Sequence, residues 1–301
     1  MKSSSARNAL LAVIAVACLL LILQTILKWH TVQGRIYHLI NRPETAIAKF
    51  QEAISVDPRN AYAHFYLGEI YLEKGQFNNA VSHFHHVTKL VKDHHKAYFL
   101  MGIAYARQQL YGPAIRAMKL AIQLKPGEFE YHFNLGLALK EAKRYVEAVA
   151  AFEDALRYKD NDDLRFNLGF ALHQLGRLDE SQSQLEKAVQ TNPQHRYAHA
   201  EQARVYIKQG RLEQAISAFQ SDLRIVPDRF FSHYDLGRLY RQTGQLPLAR
   251  EMLEKAATID PEYPYTYLEL SQVYAGLGLM EQAESAKAAF TTKQKSASSG
   301  R

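Results

Sequence analysis

Glycine recurs at Gly34, Gly68, Gly102 and Gly136 at intervals of 34 residues; Gly169 follows after 33 and Gly237 after a further 68. Alanine keeps the same interval at Ala46, Ala80, Ala114, Ala148, Ala215, Ala249 and Ala283, with Ser181 in the one gap. Proline does so at Pro58, Pro126, Pro193, Pro227 and Pro261. Three series sharing one period mark an array of one repeated unit. Each copy holds two amphipathic segments of about 12–14 residues with apolar residues at helical spacing, joined by a short turn. The glycine of the first segment and the alanine of the second are small where two helices must approach closely. Phe50, Phe84, Phe152 and Phe219 are placed to fill the space between hairpins. Proline ends the second helix, because it lacks an N–H and disfavours helix at the residue before it. One such hairpin cannot bury its own apolar face, so stability must come from stacking neighbours. The expected fold class is all-α, a solenoid of about eight helical hairpins at 27–60, 61–94, 95–128, 129–161, 162–195, 196–229, 230–263 and from 264 onward.

The unit from Ala61 to His94 contains Leu67-Gly68, Tyr71, Gly75, Phe77, Ala80 and Phe84. The next repeats this with Gly102, Tyr105, Ala114, Ala121 and Pro126, and the string FNLG occurs at Phe133–Gly136 and at Phe166–Gly169. In period and in these residues the array resembles the tetratricopeptide repeat family over nearly everything after residue 27. That resemblance implies an α-solenoid wound as a right-handed superhelix, used to bind proteins. It implies a concave face lined by the second, fifth, sixth, ninth, twelfth and thirteenth residues of each first helix. The fifth places are Phe65, Phe99, Phe133, Phe166, Ala200, Tyr234 and Leu268. The ninth places are Ile103, Leu137 and Phe170, then Arg204 and Arg238, joined by Lys208 and Arg241. Second places add Tyr62, Tyr197, Phe231 and Tyr265, and Asn134 and Asn167 hold sixth places. The expected partner-binding groove is therefore Phe65, Phe99, Phe133, Asn134, Phe166, Asn167, Phe170, Arg204, Lys208, Arg238 and Arg241, apolar in its first half and basic in its second. Such a surface suits a protein or peptide partner, extended or amphipathic, with an acidic end. The competing reading packs part of the phenylalanine ladder against adjacent helices.

Ahead of the array, Ala9 to Leu27 is 19 residues long with only Gln24 and Thr25 polar. A helix of that length spans roughly 28 Å, close to the hydrocarbon core of a bilayer. A cleaved signal peptide usually has a shorter core; here it runs ten residues past Ala15-Val16-Ala17. A lipoprotein reading at Cys18 meets the same objection. The expected organisation is a basic tail at 1–8, a single-pass anchor at 9–27 continuing as helix into the first repeat, the repeat domain at 28–290 and a disordered tail at 291–301. Formal net charge is +7. Residues 1–43 supply Lys2, Arg7, Lys28, Arg35 and Arg42 and no acid, leaving 32 basic against 30 acidic residues in the remainder. The basic balance thus flanks the apolar segment, and no broad basic surface for nucleic acid is left. A short basic tail before the first apolar helix stays in the cytoplasm, which places the repeats on the other side, the periplasm in a bacterium.

Little in the sequence suggests chemistry. One cysteine, Cys18, excludes a disulfide framework or a cysteine zinc site within the chain. His30, His64, His132, His199 and His233 share the fourth place of their units, which reads as packing. His83, His85, His86, His94 and His95 read as a solvated surface, with metal binding as the alternative. Gly276-Leu277-Gly278 is a hairpin turn, not a phosphate loop. No enzyme, cofactor or metal site is expected. Asp222 stands where other units carry alanine or valine; local helix rotation would expose it, unless it is a buried carboxylate paired with a basic residue. Lys287 marks a solvated closing helix. The functional expectation is a membrane-anchored scaffold or adaptor, placed by family analogy alone in cell-envelope assembly such as secretion, pilus or polysaccharide machinery. The alternatives are a cytoplasm-facing membrane receptor or co-chaperone docking protein, and a metal-binding accessory protein.

Overall fold

The computed structural model describes residues 29–299, side chains to 296, together with Val16 and Thr25. The expected anchor at 9–27 otherwise lies outside the described residues. Among them no helix is long and apolar enough to cross a membrane.

Sixteen helices and no strand are found among the described residues, and they alternate as first and second helices of eight hairpins. The first hairpin pairs α1 (29–39) with α2 (Pro43–Val56). Next come α3 (Ala61–Glu73) with α4 (Phe77–Leu90), and α5 (His95–Arg107) with α6 (Tyr111–Leu124). Then α7 (Phe129–Glu141) pairs with α8 (Tyr145–Leu156), and α9 (Asp162–Gln174) with α10 (Leu178–Thr191). The last three are α11 (Ala198–Lys208) with α12 (Leu212–Ile225), α13 (Phe230–Gln242) with α14 (Leu246–Ile259), and α15 (Pro264–Gly276) with α16 (Met280–Ser299). The chain divides into two compact units, Met1–Tyr158 and Lys159–Arg301. Within each, helices pack on their neighbours in chain order, as a stack of hairpins requires.

Local chemistry sets the boundaries. Asn60 Oδ1 accepts from Ala63 N–H at 2.9 Å and Asn161 Oδ1 from Leu164 N–H at 2.8 Å, satisfying orphan donors at the starts of α3 and α9. Pro43 and Pro264 open α2 and α15, where the missing N–H costs nothing. Each hairpin turn holds one residue at positive φ: Asn41, Gly75, Gln109, Lys143, Gly176, Gly210, Gly244 and Gly278. Five are glycine, the residue that takes this conformation without a Cβ penalty.

The periodic small residues do what their spacing predicts. A Cβ on Gly68 would lie 2.6 Å from the Phe84 ring, and one on Gly136 would overlap Phe152. Phe50, Phe84, Phe152 and Phe219 are fully buried. Ser181 keeps the alanine place by donating to the Gly169 carbonyl at 2.7 Å.

Two expectations are corrected. The tail from Thr291 is helical through Ser299. Neither proline nor glycine interrupts it before Gly300, and it is held by Phe290 against Tyr265 and by Lys293, 2.8 Å from Glu262. Asp222 is not rotated outward; it is fully buried, 2.8 Å from Arg229 Nε, and accepts from Ser232 Oγ at 2.6 Å. Lys287 is exposed on the closing helix as expected.

Candidate partner-binding face

The residues expected to line a groove come from the first helices, α3, α5 and α7 in the first unit and α9, α11, α13 and α15 in the second. The structure packs more of them than the sequence suggested. Phe65 is buried against Phe84 and His94, with ring centroids 6.0 and 4.8 Å away, so it presents no free ring. Its direction is fixed by how α3 is rotated onto α4, which spacing alone does not reveal. Phe99 is half-buried, stacked on Tyr131 at 4.4 Å, and Phe133 is stacked on Phe129 at 5.5 Å. In the second unit Phe166 lies against His195 at 4.9 Å and Phe170 is half-buried. Asn134 and Asn167 each donate to the carbonyl four residues earlier, Glu130 and Asp163, at 2.8 Å. Asn167 is also buried, which closes it to a partner's backbone.

The basic half is not a set of unpaired cations. His173 donates to Glu201 at 2.6 Å with both groups buried. Glu201 also meets Arg204 at 3.1 Å, and Arg204 reaches Asp235 at 3.8 Å. Glu269 takes Arg238 at 3.2 Å and Arg241 at 2.7 Å. Lys208 is exposed. Three arginines therefore stand beside three carboxylates, Glu201, Asp235 and Glu269. Burial raises the Asp235 carboxyl above its ordinary range, opposed by Arg204 and Arg238. In the sequence these acids stand at the sixth places of successive units; the signal is a shared 34-residue interval, with Arg204 and Arg238 three residues beyond Glu201 and Asp235.

What remains open is aromatic. Tyr197, Phe231 and Tyr265, at the second places of α11, α13 and α15 or one residue before them, are 50, 52 and 47% exposed. They border packed rings: Phe231 lies 5.0 Å from Phe230, Tyr265 5.6 Å from Tyr263, and the Arg229 guanidinium 5.0 Å over Tyr197. Tyr62 of α3 is exposed at the same address in the first unit.

The fourth-place histidines are structural, for a reason the sequence carried. His64, His132, His199 and His233 each donate through Nε2 to the carbonyl of the proline six residues earlier, at 3.2, 2.8, 3.0 and 2.7 Å. Tyr267 does the same to Pro261 at 3.1 Å. Each side chain thereby satisfies a carbonyl in the loop between hairpins. His30 instead pairs with Glu52 at 2.8 Å.

The second histidine group is less solvated than expected. His83 is half-buried, its Nδ1 2.9 Å from His64 Nδ1, and His86 stacks on His64 at 4.7 Å. His94 caps α5 by accepting from Ala97 N–H, and His95 shares a hydrogen bond with Tyr131 at 2.7 Å; His85 is exposed. Among the described residues no three His, Cys, Asp or Glu side chains are grouped so as to hold a metal ion.

Burial first, then His64 and His86, lower His83 from 6.5 to about 4, and burial lowers His64. Above pH 6.5 these imidazoles are neutral folded and unfolded, and the stabilisation is complete. Below it the unfolded chain takes up protons that the folded chain refuses, so stability falls until about pH 4. With the partial exposure of His83 discounted, the loss is about 1–2 kcal/mol. Denaturant titrations at pH 7.5 and 4.5 should show it for wild type and show less for His83→Gln; equal losses would refute the assignment.

Family models described as tetratricopeptide or TPR repeats match residues 34–75, 71–164, 139–205, 198–230 and 237–278. Similar solved structures include YrrB, titled a TPR protein with an unusual peptide-binding site: 24% identity, covering 61% of this chain and 95% of that one, TM-score 0.53. Pseudomonas aeruginosa pilF is 18% identical, covering 73% and 99%, TM-score 0.58. The C-terminal part of a TPR repeat-containing protein from Cytophaga hutchinsonii is 13% identical, covering 80% and 99%, TM-score 0.66. At these identities the likeness is one of fold. No curated protein matches the chain.

Proposed function

The chain belongs to the tetratricopeptide repeat family, and from that premise we propose that it is a membrane-anchored scaffold holding protein or peptide partners on its first-helix faces. One observation carries this reading: three successive hairpins of the second unit leave an aromatic ring half in water at the same address. Large rings beside fixed polar groups are the usual anchors of protein recognition. On α13, the helix that carries Phe231, Arg238 and Arg241 are held by Glu269, so little ordering is required when a partner arrives. Because the arginines already have carboxylate partners, an acidic residue of the ligand exchanges with Glu269. Charge here sets orientation and association rate, and the aromatic rings supply affinity.

The family premise, with YrrB described as peptide-binding, supports a scaffold reading over an enzymatic one. Anchoring rests on the apolar stretch 9–27, and placement outside the cytoplasm on its basic tail. A role in envelope assembly rests on family analogy.

A photo-cross-linking residue at Phe231 or Tyr265 of the full chain in membranes should trap a partner protein, and one at Val146 of α8 should not. Adducts from Val146 alone would place recognition on another surface. A carboxy-terminal reporter active only in the cytoplasm would replace the envelope reading with a cytoplasm-facing docking protein.

A further inference from the structure

We propose that the cavity between α11 and α13 is a phosphoryl site, in which a compact oxyanion is held between the Arg238 and Arg241 guanidiniums. The cavity has a volume of about 190 Å³ and is lined by Ile207 of α11 and by Asp235, Arg238, Leu239, Arg241 and Gln242 of α13. Helical spacing puts Asp235, Arg238 and the pair Arg241-Gln242 on one side of α13. Pockets that enclose a drug-sized molecule are larger, roughly 300–1,000 Å³, so the occupant here is one compact group.

The way the two arginines are fixed marks the cavity for an anion. Glu269 of α15 accepts from each through its Nε, from Arg238 at 3.2 Å and from Arg241 at 2.7 Å, and Glu269 does not line the cavity. The Arg238 guanidinium also lies 5.6 Å over the ring of buried Tyr234. Both cations are therefore ordered before anything binds, and their terminal nitrogens remain for a second acceptor. A carboxylate has two oxygens in one plane and answers one guanidinium fork bidentately. Two forks held by one acid ask for more, and a phosphoryl group brings three acceptor oxygens.

Asp235 stands in the same cavity, and as a carboxylate it repels an anion. Its side chain is only 20% exposed, and burial raises its carboxyl above the ordinary range against the pull of Arg204 and Arg238. Arg204 of α11 and Arg238 of its own helix face it, with the phenols of Tyr234 and Tyr263 in electrostatic reach. An arriving anion adds like charge and favours the protonated form further. Asp235 then takes a proton from solvent and donates its O–H to the anion. The proposal deepens the reading of the first-helix face as a recognition surface and rests on it for the origin of the group, a phosphorylated partner side chain or free phosphate. A partner's carboxylate exchanges with Glu269 at the Nε edges; a phosphoryl group leaves Glu269 in place.

The test titrates the full chain in detergent, at about 0.15 M chloride to screen loose surface binding, with inorganic phosphate, N-acetyl-phosphoserine amide and N-acetyl-aspartate amide by calorimetry. Wild type should bind one phosphate with a dissociation constant of about 1 mM or tighter. Arg238→Lys and Arg241→Lys should each weaken this about tenfold or more, because lysine lacks the fork. Asp235→Asn should strengthen it severalfold, since no carboxylate is left to neutralise; weaker binding in that variant overturns the proposal. Tighter binding of the phosphoserine derivative assigns the group to a phosphorylated partner, and tighter binding of inorganic phosphate to the free anion; either supports the site. The aspartate derivative binding as tightly as phosphate overturns the phosphoryl assignment. So does phosphate affinity unchanged in both lysine variants, which means an adventitious ion only. Where a variant melts lower than wild type, wild type itself decides. Phosphate should slow the modification of Arg238 and Arg241 by phenylglyoxal and leave exposed Arg224 of α12 unaffected; no selective protection overturns the site. None of these titrations needs a partner. No phosphate binding while the Phe231 cross-link forms refutes the site alone, and phosphate bound without that cross-link refutes the recognition reading alone.

Discussion

Replacing Arg229 with methionine is expected to lower the folding stability of the second unit by about 3–5 kcal/mol. Asp222 has no exposed surface, and its close partners are Arg229 at 2.8 Å and Ser232 at 2.6 Å. Without the guanidinium, a carboxylate is left in the core with one hydroxyl donor. The pair itself need not be worth this much, because each charge lost its hydration on burial. The double variant Asp222→Ala/Arg229→Met should therefore stand near wild type, since it puts alanine where Ala188 and Ala256 stand in the flanking units. Denaturant unfolding of the three proteins checks this. A single variant within about 1 kcal/mol of wild type would mean that water reaches Asp222 and that the pairing is incidental.

Phe152→Ala is expected to cost about 3–5 kcal/mol. The ring is fully buried between α7 and α8, in the space that Gly136 leaves open, 6.0 Å from Phe133. Neither helix can close on the cavity without losing its contacts with the hairpins beside it. Stability in a stack is a sum of units and nearest-neighbour interfaces, so the loss should spread in order. Amide exchange should rise first in α7 and α8, next in α6, and last in α2 and α3. A uniform rise through the first unit would contradict nearest-neighbour coupling.

These residues also show what was legible in the sequence. The glycine–alanine–proline period gave eight hairpins, their boundaries and the buried phenylalanines, because close approach and helix termination follow from residue size and the missing N–H of proline. The fourth-place histidines pack as their repetition predicts, and the P-x5-H spacing carries the reason. The burial of Phe65 and Asn167 and the pairing of the arginines could not be read from the period, for another reason. Whether a first-helix residue faces a neighbour or solvent depends on helix rotation of a few tens of degrees, which a period does not encode. Arg241 finds Glu269 across 28 residues, a contact that exists only once two hairpins have stacked. Asp222 misled because a lone acid in an apolar register fits both exposure and pairing, and its partner Arg229 lies in the loop before the next hairpin. Gln109 and Lys143 take the positive φ of the turn without being glycine, so residue type could not mark them.

Recognition on the first-helix face of the second unit is tested most directly by the affinity of a cross-linked partner, once identified, for the wild-type chain and for Phe231→Ala. Phe231 is half-exposed, so the variant should keep its helicity and melting temperature, and both are measured first. The dissociation constant should then rise about tenfold or more, a loss of about 1.4 kcal/mol or greater. Unchanged affinity in Phe231→Ala, and likewise in Tyr197→Ala and Tyr265→Ala with folding intact, would show that partners bind elsewhere on the chain.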